Sequence, residues 1–80
     1  MTTSEATSSY LIVIERAADG GYGAWAPDLP GCVALGDTLE ACEQEMRDAV
    51  AFHLDGLRLD GSPIPEPSAV AAVMVTIPAA

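Results

Sequence analysis

Pro27-Asp28-Leu29-Pro30-Gly31 limits what this chain can fold into more than any other stretch. Each proline fixes its own φ and biases the residue before it, Ala26 or Leu29, toward an extended conformation. Gly31 accepts a positive φ, so the chain can reverse there at little steric cost. A second turn cluster, Gly36-Asp37-Thr38, follows closely. Between the two, Cys32-Val33-Ala34-Leu35 has room for one short buried strand.

Thr38 then opens a long amphipathic helix, its hydroxyl placed to accept a bond from a free backbone amide. Asp37 is the alternative cap, and with Glu40 it would form a capping box. Leu39, Cys42, Met46, Ala49, Val50, His53 and Leu57 recur at spacings of three and four, one apolar stripe down the helix. Gln44, Arg47, Asp48, Ala51 and Asp55 fall on the other side. Gly56 weakens the helix, and Asp60-Gly61 with Pro63 ends it. His53 lies within the stripe and reads as a partly buried neutral side chain, not a functional group.

Upstream, residues 1–8 are small, polar and unpatterned, so a flexible tail is expected ahead of a single domain over residues 9–78. Tyr10 to Glu15 is a first strand whose near-continuous apolarity suits a central position covered on both faces. Asp19-Gly20-Gly21 is a hairpin signal, and Tyr22 to Ala26 follows as the second strand. Tyr22 and Ala24 share one face of that strand, Gly23 and Trp25 the other. After the helix, Ser62 to Pro67 is a stiff proline-rich connection, and Val70 to Ile77 a final apolar strand. The expected fold is α+β with the order βββαβ. It comprises an antiparallel three-stranded meander, a fourth strand parallel to and beside strand one through a right-handed crossover, and one helix on one face. Val70 to Ile77 would then be a long apolar edge, open to pairing with another chain.

Charge narrows the function. Twelve acids stand against three arginines and no lysine, a net charge of −9. A protein that tracks a nucleic-acid backbone neutralises phosphates with Lys and Arg, so this balance argues against direct nucleic-acid binding and against anionic membranes. Cys32 and Cys42 do not form a C-x-x-C pair, and one histidine cannot complete a Cys/His zinc set. No converging carboxylates, Ser/His/Asp set, P-loop or GxGxxG is present, so no catalytic, metal or cofactor site is expected. The N-terminus has no basic start and no apolar core of a signal peptide, which makes a cytoplasmic protein the default. With 80 residues and no disulfide or metal motif, the core is small, and self-association as a homodimer or tetramer is the natural supplement.

PDLPGC, a short apolar run, GDT, an acidic amphipathic helix and Asp60-Gly61-Ser62-Pro63-Ile64-Pro65-Glu66-Pro67 occur here in a fixed order. That ordered set, from about Tyr10 to Ile77, resembles the HicB family of antitoxins. The chain departs from the family's usual T-x-E-E-A at Ala41 and Cys42. The resemblance implies a partial RNase H-like fold and a binding protein without catalysis. It also implies a partner, a small basic HicA-type RNA-cleaving toxin. Many HicB proteins carry a C-terminal DNA-binding module, and this chain ends three residues after Ile77, so that module is expected to be absent. A solitary self-assembling protein without a toxin, and a small-molecule binder using the open sheet face, are the alternatives. From turn exposure and charge, Tyr22, Trp25, Asp28 and Leu29 are candidate protein contacts, and Pro27, Gly31, Gly36, Asp37 and Thr38 are structural.

Overall fold

The computed structural model describes residues 8–79, so residues 1–7 of the expected tail lie outside the described residues. Three short strands, β1 (Val13–Arg16), β2 (Tyr22–Trp25) and β3 (Val33–Gly36), precede one helix, α1 (Leu39–Asp60). The strands form an antiparallel meander in the order β1-β2-β3. The β1–β2 hairpin closes through the Ala17 amide to the Gly21 carbonyl at 2.7 Å and the Gly20 amide to the Ala17 carbonyl at 3.0 Å. Gly20 takes the positive φ of 93° that this reversal requires.

Pro27-Asp28-Leu29-Pro30-Gly31 is two interlocked turns that share Leu29. The Leu29 amide donates to the Ala26 carbonyl at 3.2 Å, and the Cys32 amide donates to the Leu29 carbonyl at 3.1 Å. Each proline therefore occupies the second position of a four-residue turn, where its fixed φ is already correct. Gly31, at φ 84°, holds the third position of the second turn, as a type II turn demands. The shared corner turns Leu29 inward, where it is fully buried with Ala24, Ala26, Cys32, Cys42 and Met46.

At the start of α1, Thr38 is the cap: its backbone is extended and its Oγ1 accepts from the Ala41 amide at 3.0 Å. Glu40 lies in the first turn and Arg58 in the last, each at the end of the helix dipole that favours its charge. Gly56 does not interrupt the helix. It ends at Gly61, φ 70°, whose amide bonds the Arg58 carbonyl while the Ser62 amide bonds the Leu57 carbonyl. That is a Schellman-type close, in which a left-handed glycine satisfies carbonyls the helix leaves free.

The stripe predicted for α1 faces the sheet at Cys42 and Met46, both fully buried, with Ala49 and Val50 packed beside them. Leu54, outside that stripe, also packs on the core, whereas Leu39 is largely exposed. The alternation on β2 is as expected. Ala24 is buried under the helix and Tyr22 packs beside the core, while Trp25 faces away. Across the ladder, Ile14, Ala24 and Ala34 form the row beneath the helix.

The expectation of a fourth strand is not met. Ser62–Ala79 has no regular secondary structure, and Val70, Val73, Met74, Val75 and Ile77 are all exposed. Strand one is therefore an edge of a three-stranded sheet rather than its centre. The segment's start is held by the Asp28 carboxylate, described next, and beyond Ala69 no backbone hydrogen bond ties it to β1 among the described residues.

Candidate protein-contact surface

On the sheet face opposite α1, register aligns Val13, Trp25 and Val33 in one row and Glu15, Gly23 and Leu35 in the next. Trp25 is 41% exposed, Val33 63% and Leu35 76%. Leu35 lies over Gly23, where an added Cβ would stand at ordinary packing distance, 3.5 Å, from Leu35 Cδ2. The result is a flat apolar patch with the acid Glu15 on its border. Exposed aromatics of this kind are frequent anchors of protein interfaces.

Of the other predicted contact residues, Tyr22 lies on the helix side of the sheet. There its hydroxyl accepts from Arg16 Nη2 at 3.1 Å, and the guanidinium sits 5.4 Å from the ring centre. Leu29, expected to be exposed in its turn, is buried, because the double turn points it into the core. Asp28 is occupied within the chain. Its carboxylate accepts from the Ser68 amide at 2.9 Å, Ser68 Oγ at 2.7 Å and the Ala69 amide at 2.9 Å. The Ala69 amide, then the two Ser68 donors, hold its carboxyl below the usual carboxylate range, because each bond favours the charged form. Asp28 thus pins the C-terminal segment beside the double turn, and Tyr10 does the same upstream, its hydroxyl donating to the Pro65 carbonyl at 2.5 Å. Neither Ser68 nor Tyr10 was marked by sequence, since nothing local links residues 40 or 55 positions apart.

Gly31 and Thr38 hold the structural roles assigned to them. So does Pro27 in its turn. Gly36 gives α1 room to approach β3. Asp37 makes no cap, since Thr38 supplies it. Cys32 and Cys42 are buried free thiols, and burial pushes Cys32 up, which keeps it protonated and unreactive. No group of three or more His, Cys, Asp or Glu side chains converges as a metal site among the described residues. None of their helices is long and apolar enough to cross a membrane.

A second apolar surface lies on the helix side. Tyr10, Ile12, Val50, Leu54 and Ile64 line a groove of about 500 Å³, with Arg47 and Arg58 at its mouth. Its walls come from residues 8–12, which lead into β1, from α1 and from Ile64, and no residue of the three strands lines it. Arg47 is held by Glu43 at 2.6 Å and Arg58 by Asp55 at 3.0 Å.

The fold is that of a known antitoxin domain. The crystal structure of the N-terminal domain of Burkholderia pseudomallei antitoxin HicB superposes with a TM-score of 0.69 at 23% identity, covering 76% of this chain and 72% of that one. In sequence, the UPF0150 protein ssr1765 of Synechocystis is 34% identical over 58 residues, 72% of this chain and 73% of the relative. An uncharacterized 14.9 kDa protein of Haemophilus phage HP1 is 39% identical over 57 residues, and the chain spans 42% of its length. The family model for the HicB-like antitoxin of bacterial toxin–antitoxin systems matches residues 10–78. The double turn, the capped acidic helix and the proline-rich segment all fall within that span, and the chain belongs to the HicB-like antitoxin family.

Proposed function

We propose that this protein is a non-catalytic binding module that captures and neutralises a small basic HicA-type, mRNA-cleaving toxin. One observation carries the reading: an apolar sheet face is exposed on a molecule whose outward charge is almost all negative. Each of the three arginines is engaged within its own chain, Arg16 on Tyr22, Arg47 on Glu43 and Arg58 on Asp55. Of the acids among the described residues, only Glu43 and Asp55 pair with a basic side chain. A basic partner is drawn to such a surface, and complementary fields raise association rates and disfavour wrong partners. Trp25, Val33 and Leu35 then supply the desolvated centre of the contact, with Glu15 at its rim. With three arginines against twelve acids, the net charge of −9 disfavours nucleic acid as a direct ligand.

The test is co-expression with a short basic protein, where the neighbouring reading frame encodes one. The expected result is a co-purifying complex, relief of growth arrest, and suppression of RNA cleavage by the purified toxin. Failure of all three with such a neighbour present would overturn the reading.

A further inference from the structure

We propose that the segment Val70–Ile77 is an arm exchanged between two copies of this chain, each arm adding as a strand to the free edge of the other copy's β1. Three observations converge on it.

The first is the arm. Val70-Ala71-Ala72-Val73-Met74-Val75-Thr76-Ile77 is β-prone and uncharged, and its large apolar side chains are all exposed. Both of its alternating faces are apolar, the pattern of a strand covered on two sides. A basic toxin offers nothing to such a segment, because its last acid is Glu66.

The second is the receiving edge. β1 pairs only with β2, and among the described residues no further backbone hydrogen bond reaches its outer side. The apolar groove of Tyr10, Ile12, Val50, Leu54 and Ile64 lies next to the residues that lead into that edge. A strand added along β1 would drop alternate side chains, Val73, Val75 and Ile77, into the groove. Its other face, through Val70 and Met74, would extend the patch of Val13 and Trp25. The chain thus holds both an unfilled strand position and a strand that fits it.

The third is the anchor, which holds the arm's root at a fixed place. Asp28 clamps Ser68 and Ala69 through three hydrogen bonds, beyond the end of β2 and beside the start of β1. The arm leaves from that fixed root without a backbone hydrogen bond to its own β1 edge among the described residues, so that edge stays open to the arm of a second copy. The exchange is reciprocal, since both copies carry the arm and the edge, which gives a closed two-fold pair.

Light scattering on the full chain at tens of micromolar tests this without any toxin, so the outcome is independent of the function proposed above. The expected mass is about twice 8.2 kDa or an even multiple of it. Val73→Glu and Val75→Glu, on the groove-facing side of the arm, should each return the mass to one chain while the helical circular dichroism stays. A photo-cross-linker at position 75, on copies mixed with isotope-labelled chains, should capture labelled residues 10–14, 50 or 54. A wild-type mass of one chain, an unchanged mass in both charged variants, or cross-links confined to one chain would each overturn the proposal.

Discussion

Gly36 and Cys42 meet backbone to backbone: a Cβ added at Gly36 would stand 2.6 Å from the Cys42 Cα and closer still to its amide nitrogen. The glycine is needed here for space, not for an unusual φ. Its bare Cα lets the first turn of α1 settle onto the end of β3, which brings Cys42 and Met46 over the sheet. Gly36→Ala therefore has no flexible neighbour to displace. A loss of at least about 2–3 kcal/mol is expected, read as a lower midpoint in urea unfolding.

Met46 is the largest fully buried side chain contributed by the helix. Truncation to alanine removes its packing in the core cluster with Ala24, Leu29 and Cys32 and leaves a void that so small a core cannot close. A cost of about 2–5 kcal/mol is expected. Against the few kcal/mol available to a domain of this size, Met46→Ala should be largely unfolded at 37 °C by circular dichroism.

The Asp28 clamp sets a pH dependence whose sign follows from its lowered pKa. A carboxyl depressed in the folded state contributes stability that is fully present above its unfolded value, about 4. That contribution is lost as the pH falls through the folded value, below 4. The amide resonances of Ser68 and Ala69 should therefore hold steady from neutrality to about pH 4 and move together beneath it. Asp28→Asn should shift both at neutral pH, and by freeing the arm's root it should lower the mass seen in light scattering.

Trp25 and Val33 lie side by side on the open sheet face, yet neither is needed to fill the core. Trp25→Ala should weaken toxin binding by tenfold or more, the scale of an aromatic anchor. Val33→Glu should do the same while leaving the unfolding midpoint nearly unchanged. Calorimetric titration beside thermal unfolding separates the two effects.

The parts of the fold governed by near neighbours were legible in the chain itself. Pro27, Pro30 and Gly31 act on their own φ, so both turns could be read off residue types. The helix stripe through Cys42 and Met46 needs only the 3.6-residue period, while residue type narrows the cap to Thr38 or Asp37 and the structure decides for Thr38. Leu29 was misread because a turn between two prolines suggests exposure, whereas the corner shared by two turns points it inward. Val70–Ile77 reads in sequence as a final strand beside strand one and is not a strand here, because propensity alone does not say which edge a strand joins. The Asp28 contact with Ser68 and Ala69 was not legible either, since it joins polar residues of ordinary type far apart in the chain. The Trp25 face was visible from alternation, and the groove beside β1 was not, because it exists only where a fourth strand does not lie.

The arginines, each tied to a neighbour in its own chain, have a further consequence. Two copies brought together must overcome mutual repulsion of like charge, while a copy meeting a basic protein is drawn in by the same field. Added sodium chloride damps both forces, since the screening length shrinks from about 10 Å at 0.1 M to about 3 Å at 1 M. Ionic strength should therefore tighten pairing of the protein with itself as it loosens the grip on a cationic target, so that a single titration moves the two equilibria in opposite directions.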